Sequence, residues 1–158
     1  MDSEAKIFHD RLEATPLAKA PADGTVDLKT YRLYLRTSLE VWESLEATFD
    51  LARELKVAQR LREDLALINP DTYEDESVPF KAVWQAQTAN RGDLYVLGLG
   101  LCFGGSQMRK NLREKTNLPV RHMRMPKGSV DKLRALKPNS SEIVSAFSKT
   151  LAWYSHVS

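Results

Sequence analysis

His9 is the residue whose type and setting could bind a metal. It lies on the apolar stripe of the segment from Ala5 to Leu12, where a spacing of three or four residues predicts that it faces inward. A neutral imidazole ligates a metal through one ring nitrogen while the other nitrogen donates to a carboxylate. Glu13, four residues later, could accept that hydrogen bond, and Lys6, three residues earlier, could meet an anion beside it. A histidine on an apolar stripe is more often an ordinary core residue, so both interpretations stay open.

Glycines are concentrated in the apolar segment LYVLGLGLCFGGSQMRKNL, from Leu94 to Leu112, which has the length of a buried helix. An interior glycine costs a helix about 1 kcal/mol relative to alanine, so four of them need a reason. At about 100° per residue, two of the four share one helical stripe, where a flat ligand could touch the backbone and the helix could bend. Close packing of helices through small residues explains them equally well. The four are Gly98, Gly100, Gly104 and Gly105, and the shared stripe holds Gly100 and Gly104.

The motifs that the sequence lacks argue against several other chemistries. There is no G-x-x-x-x-G-K-[ST] loop, no strand ahead of the glycines for a dinucleotide site, and no G-x-S-x-G elbow. No glutamate stands three residues before a histidine, as di-iron carboxylate bundles require. The single Cys102 cannot form a zinc–thiolate site or an intramolecular disulfide, and it fits a reducing compartment. The sequence shows no signal-peptide pattern and no apolar run long enough to cross a bilayer, so we expect a cytoplasmic protein without a membrane partner.

Charge is unevenly distributed along the chain. The net charge is +2, but the segment from Arg109 to Lys137 holds ten Lys or Arg and two acids, a local balance of +8. Such asymmetry suggests an anionic partner, although a solvated basic face explains it equally well. Nucleic acid is not expected, because this segment lacks interleaved aromatic residues and a recognisable reader motif.

The elements that must position these residues are all predicted to be helices, and they form one domain spanning residues 1–158. With 42% hydrophobic and 28% charged residues, the chain has the composition of a globular domain, and no segment alternates as a strand does. A first helix should end before TPLAKAPADG, where two prolines and a glycine interrupt. Asp27 should cap a long helix that extends to Lys56. The remaining helices are predicted at Val57 to Ile68, Phe80 to Asn90, Asp93 to Lys115, Ser129 to Leu136, and Ser141 to Val157.

Three stretches of the sequence resemble the heme oxygenase family. FHDRLEATPLAKA looks like the family's proximal helix, TYRLYLRTSLEVWESLEATF like its second helix, and YVLGLGLCFGGSQMRKNL like its distal helix. The resemblance covers about residues 4–157 and is weak between Lys56 and Arg91. It implies an all-α, single-domain, multi-helix fold, with heme sandwiched between the N-terminal proximal helix and a kinked, glycine-rich distal helix.

The resemblance also implies roles for individual residues. His9 would be the axial ligand of the heme iron, and Glu13 its hydrogen-bond partner. Tyr95, Gly100 and Gly104 would form the catalytic face, where the glycine backbone lies over heme and its bound O2. The implied heme-binding residues are Lys6, Glu13, Gly100, Gly104, Gly105, Lys132 and Arg134, with the lysines and arginine on the propionates.

The activity implied is the cleavage of heme, as both substrate and cofactor, to biliverdin, CO and Fe2+, with O2 and electrons from a ferredoxin or a reductase. Two departures matter: Leu101 stands where many family members have an aspartate, and Leu97 where they have an arginine. The distal water network must therefore be built differently. A non-catalytic heme-binding or sensing protein, a thiaminase-like enzyme and a helical interaction module remain alternatives.

Overall fold

The computed structural model describes residues 3–68 and 89–157, and within these ranges the chain is helical and contains no strand. The predicted all-α class is therefore confirmed. The helix predicted over Phe80 to Asn90 lies outside the described residues except at its end, where Asn90 is the N-cap of the next helix. The described α-helices are α1 (Ser3–Glu13), α2 (Pro16–Asp23), α3 (Leu28–Thr48), α4 (Ala58–Ala66), α5 (Arg91–Cys102), α6 (Gly104–Lys115), α7 (Ser129–Arg134) and α8 (Ser140–Val157), with 3-10 turns at Arg53–Leu55 and Arg121–Met123.

The segment that was expected to interrupt the chain after α1 forms the short helix α2 instead. Pro16 is its first residue, a position where the missing N–H is not needed and the fixed φ suits the helix. The hydroxyl of Thr15 accepts a hydrogen bond from the backbone N–H of Ala18 at 3.4 Å. Gly24, with a φ of +70°, follows the end of α2. Pro16 therefore begins this helix rather than preventing it.

The long helix α3 begins as predicted and ends earlier than predicted. The Asp27 carboxylate accepts a hydrogen bond from the backbone N–H of Thr30 at 2.7 Å, which confirms the cap. The helix ends at Thr48 rather than at Lys56, because Phe49 is extended. Glu46 then accepts hydrogen bonds from the backbone N–H groups that open α4, at 3.3 and 2.8 Å. This carboxylate holds the start of α4 against the end of α3.

The glycine-rich segment forms two helices rather than the predicted single one. Asn90 and Asp93 form a capping box at the start of α5. The helix breaks at Phe103, whose φ and ψ are −104° and −67°, and α6 begins at Gly104. The break coincides with the Gly104-Gly105 pair, where the chain has the least side-chain resistance to bending.

Helix α8 packs against α1 and α5, and it also contacts the central helix α3. A buried ion pair joins α8 to the start of α5, with Lys149 Nζ 2.7 Å from Asp93 Oδ2. On α3, Tyr31, Leu35 and Leu45 have no exposed surface and form the centre of the core. None of the described helices is both long and apolar enough to span a membrane.

Candidate functional site

A cleft of about 630 Å³ opens between α1, α3, α5, α6 and α8. Its size is within the range of small-molecule pockets, and its wall is mainly apolar. The side chains with polar atoms on the wall include His9, Glu13, Tyr34, Tyr95 and His122. The cleft therefore combines a large apolar contact surface with a few convergent polar groups.

The glycines of α5 and α6 fall into two groups that differ in what surrounds them. A Cβ added at Gly100 or Gly104 would meet no atom within 4 Å outside the helix's own neighbouring backbone, so both face open space in the cleft. A Cβ at Gly98 would lie 2.6 Å from the side chain of Leu133, so this glycine allows α7 to approach α5. Close helix packing thus explains Gly98 but not Gly100 or Gly104.

His9 lies at the cleft with about a third of its side chain exposed. Its Nε2 is 3.3 Å from Glu13 Oε1, and its Nδ1 is 3.6 Å from Asp10 Oδ1. Phe147 of α8 packs edge-on against the ring, with centroids 5.7 Å apart. Ligand atoms of His9, Asp10 and Glu13 all lie within 4.8 Å of one another, so among the described residues this is a group that could hold a metal ion.

The predicted basic residues do not reach the cleft wall. Lys6 is largely exposed and pairs with Asp10 at 3.3 Å. Lys132 pairs with Glu54 at 2.8 Å, and its hydrogen bond holds the pKa of that carboxyl below its ordinary value. Arg134 is closer, because its guanidinium lies 5.9 Å from the ring centroid of Phe103, a residue of the cleft wall.

The other predicted residues meet at the cleft. Tyr95, Gly100, Gly104 and Gly105 line it together with His9 and Glu13. Both leucines that depart from the heme oxygenase pattern, Leu97 and Leu101, also line it and make that part of the wall apolar. Of the predicted set, the structure therefore brings together the α1 and α5–α6 residues and leaves Lys6, Lys132 and Arg134 outside the wall.

A buried chain of polar groups ends at the same cleft and was not found from the sequence. The Nδ1 of His122 lies 2.6 Å from Asp64 Oδ2, and the Tyr34 hydroxyl lies 3.0 Å from His122 Nε2. The Asp64 carboxylate also accepts hydrogen bonds from the backbone N–H groups of Arg121 and His122, at 3.0 and 2.9 Å. Asp64 has no exposed surface and His122 is 1% exposed. Tyr34 and His122 both line the cleft.

Burial controls the titration of these groups. It lowers the pKa of His122 below its usual 6.5, against the opposing effect of Asp64, so the imidazole is neutral at pH 7. Burial also raises the pKa of Tyr34 well above its ordinary value. The same cause raises the pKa of Tyr154, another tyrosine of the cleft, to about 12. The phenols of Tyr34 and Tyr154 are therefore protonated at neutral pH.

One sign of the buried chain is visible in the sequence. Asp64 occupies the apolar stripe of α4, three residues after Leu61 and four before Ile68, both of which are buried. A carboxylate on such a stripe needs buried hydrogen-bond donors. Its partner His122 is 58 residues away in a basic connecting segment, and no local pattern marks it as buried.

Comparison with protein-family models, with curated proteins and with solved structures finds no match to this chain.

Proposed function

We propose that this protein is a heme oxygenase that opens the heme ring to give biliverdin, CO and Fe2+. The observation that supports this most is that His9 lines the same cleft as the open backbone of Gly100 and Gly104. An aromatic and aliphatic wall, one half-buried imidazole and a stretch of helix without side chains suit a flat, apolar ring system that carries a metal. The proposed setting is the cytoplasm, with a ferredoxin or a reductase as electron donor.

The cleft residues fit heme in size and chemistry. Gly100 and Gly104 leave space that any larger residue would fill, and the apolar side chains of Trp42, Phe147 and Leu101 supply contact surface. His9 could supply a nitrogen that binds the iron once one of its two carboxylate contacts is released. Ligation through Nε2 requires Glu13 to move from that nitrogen, and Nδ1 already lies 3.6 Å from Asp10 Oδ1, which could accept its hydrogen bond.

When bound, heme would supply both the iron that activates O2 and the ring that is oxidised. The chain's own residues would hold and orient it. His9 would fix the iron from α1, and Phe147 would limit rotation of the imidazole. The glycine backbone would lie next to the ring, and Leu97 and Leu101 would exclude water from part of the cleft. Exclusion of water strengthens every remaining polar contact in the site.

The propionates need basic partners, for which we propose Lys6, Lys132 and Arg134. Lys6 and Lys132 each have a carboxylate partner, and Arg134 lies over the Phe103 ring. Because exposed ion pairs of this kind contribute little to stability, exchanging one carboxylate for another is energetically inexpensive. The long side chains of these residues can therefore turn toward heme at little cost.

Adding hemin to the purified protein tests the proposal. A Soret band shifted from that of free hemin shows binding, and a biliverdin band after ascorbate or a reduced ferredoxin is supplied shows turnover. A spectrum identical to that of free hemin would overturn the proposal.

A non-catalytic heme-binding protein is the second candidate, and the apolar side chains of Leu97 and Leu101 on the cleft wall favour it. They remove the polar groups that many heme oxygenases use to organise distal water. A shifted Soret band without any biliverdin under either reductant selects this candidate.

A further inference from the structure

The buried chain of Asp64, His122 and Tyr34 has a direction set by its hydrogen bonds. Asp64 Oδ2 lies 2.6 Å from His122 Nδ1, and a carboxylate only accepts, so Nδ1 carries the imidazole proton. The Nε2 of the neutral ring then holds a lone pair, and the Tyr34 hydroxyl donates to it at 3.0 Å. Tyr34 Oη keeps a lone pair for a second partner, a position that Ser38 of α3 also approaches, and Tyr34 is a residue of the cleft wall.

We propose that Asp64, His122 and Tyr34 form a proton relay between the protein interior and the ligand in the cleft. Tyr34 is the group that meets the ligand, His122 stores the proton, and Asp64 is a positioning residue that fixes the tautomer. The relay deepens the proposed heme oxygenase function and rests on it, since ring opening consumes protons. The relay also supplies a group that can exchange protons at a cleft whose α5 side is apolar at Leu97 and Leu101.

The proton transfer balances without any other reactant. A ligand that gives a proton to Tyr34 Oη causes the original hydroxyl proton to move to His122 Nε2, which leaves an imidazolium beside Asp64. In the delivering direction, the imidazolium returns that proton to Oη while the hydroxyl proton passes to the ligand. One proton crosses in each case, and no electrons move. Asp64 stabilises the charged ring through its contact with Nδ1.

Burial makes the His122 imidazolium a stronger acid than it is in water, so the neutral ring is the resting state. The charged and titratable groups that act on His122 are Asp64, which favours the imidazolium, and Arg60, which opposes it. Tyr34 in turn faces Tyr31, Tyr154 and Asp64. Because burial is the dominant influence on His122, its protonated form is the major form only at a pH below the ordinary pKa of 6.5.

Nuclear magnetic resonance of the protein without hemin provides the first test. Labelled His122 is titrated in wild type, in Tyr34→Phe, and in Tyr31→Phe as a matched control. Tyr31 lies on the same helix as Tyr34, and its hydroxyl donates a hydrogen bond to the Pro119 carbonyl at 2.6 Å. Tyr31 is not a residue of the cleft wall, so the control removes a hydroxyl that does not face the ligand.

The relay predicts an Nδ1–H tautomer in wild type. It also predicts a lower His122 pKa in Tyr34→Phe than in wild type or in the control, because the buried Nε2–H of the imidazolium would lose its acceptor. In Asp64→Asn the amide can donate to Nδ1, so the neutral ring should switch to the Nε2–H tautomer. An unchanged His122 pKa in Tyr34→Phe, or an Nε2–H tautomer in wild type, overturns the relay.

The second test follows biliverdin formation with hemin and ascorbate as a function of pH. Tyr34→Phe should turn over about 100-fold more slowly, the low end of general acid–base effects, and should lose the rise toward acid pH that wild type and Tyr31→Phe retain. Normal hemin binding with wild-type rate and pH profile in Tyr34→Phe also overturns the relay. If wild type neither binds hemin nor opens the ring, the proposed function fails, and the pKa comparison alone decides the relay.

Discussion

Phe147 of α8 packs edge-on against His9 of α1, with ring centroids 5.7 Å apart and an interplanar angle of 88°. An aromatic contact of this geometry contributes about 0.5–1.5 kcal/mol beyond the area it buries. Because α1 packs along α8, the contact fixes the imidazole to a neighbouring helix rather than to its own helix alone. The orientation of His9, the candidate iron ligand, therefore depends on how α1 packs against α8.

His9→Ala should remove the proposed iron ligand and leave the fold intact. About a third of the His9 side chain is exposed, so the truncation creates only a small cavity. The hemin spectrum should lose the features of an imidazole ligand, ring opening should fall to background, and added imidazole should restore part of the spectrum. Glu13→Gln is the matched control, since it changes the carboxylate next to Nε2 and keeps the ring. An unchanged spectrum and turnover in His9→Ala would remove His9 from the site.

The two classes of glycine should respond oppositely to the same substitution. Gly98→Ala places a methyl group 2.6 Å from Leu133 and should cost about 1–3 kcal/mol of the free energy of unfolding. Gly100→Ala faces open space and should be neutral or stabilise the protein by up to about 1 kcal/mol through helix propensity. Urea denaturation measures both. Equal losses in the two variants would show that both glycines serve packing.

Replacing Gly104 with a larger residue tests whether this position is small to admit a ligand or to allow helix packing. Gly104→Leu should leave the protein folded, because its Cβ points into free space, and should weaken hemin binding at least tenfold by filling the cleft. The measurement is a hemin titration followed in the Soret region. Wild-type hemin affinity would mean that this part of the cleft does not hold heme.

The sequence predicts the parts of the site that depend on local periodicity. The stripe that includes His9 and the stripe shared by Gly100 and Gly104 follow directly from helical spacing, and the structure brings all three residues to one cleft. The capping role of Asp27 was equally predictable, since it needs only the three residues that follow.

The contacts that could not be predicted join distant parts of the chain. Asp64 and His122 are 58 positions apart, and their contact depends on how α4 meets the 3-10 turn at Arg121–Met123. A bend at the glycines is expected from the sequence, but a complete break at Phe103 is not, because helical periodicity continues through it. The propionate roles of Lys132 and Arg134 come from the resemblance, which does not determine how far these residues lie from the cleft.

His122 should make the stability of the protein depend on pH. Its folded-state pKa lies below the 6.5 of an unfolded chain, so between those values the unfolded state binds more protons. The free energy of unfolding should therefore be constant above about pH 7 and fall as the pH decreases from 6.5 through the folded pKa. His122→Gln should be less stable at pH 7, because Asp64 loses its ring donor, and should show a smaller slope in this window. Denaturation curves at several pH values measure the difference, and parallel slopes would contradict the buried neutral state.

The basic segment should set the rate at which an acidic electron donor docks. Arg109, Lys110 and Arg113 lie on α6 and make no ion pair with another residue in the ranges 3–68 and 89–157. Arg109 also lines a groove of about 300 Å³, and Met123 lies on the wall of both this groove and the cleft. A donor docked at the groove would therefore be close to a ligand in the cleft.

Replacing these three residues with glutamate should slow turnover supported by a reduced, acidic ferredoxin and leave ascorbate-supported turnover and hemin affinity unchanged. Exposed charges act mainly on the association rate and are screened over about 8–10 Å at physiological salt, so raising the salt concentration should slow wild type in the same way. The matched control reverses three exposed charges elsewhere, at Arg11, Lys19 and Lys56, and gives the same change in net charge. If the α6 variant and this control respond alike, net charge rather than a docking surface on α6 governs the encounter. If the α6 variant accepts electrons from the ferredoxin at the wild-type rate, the segment is a solvated face.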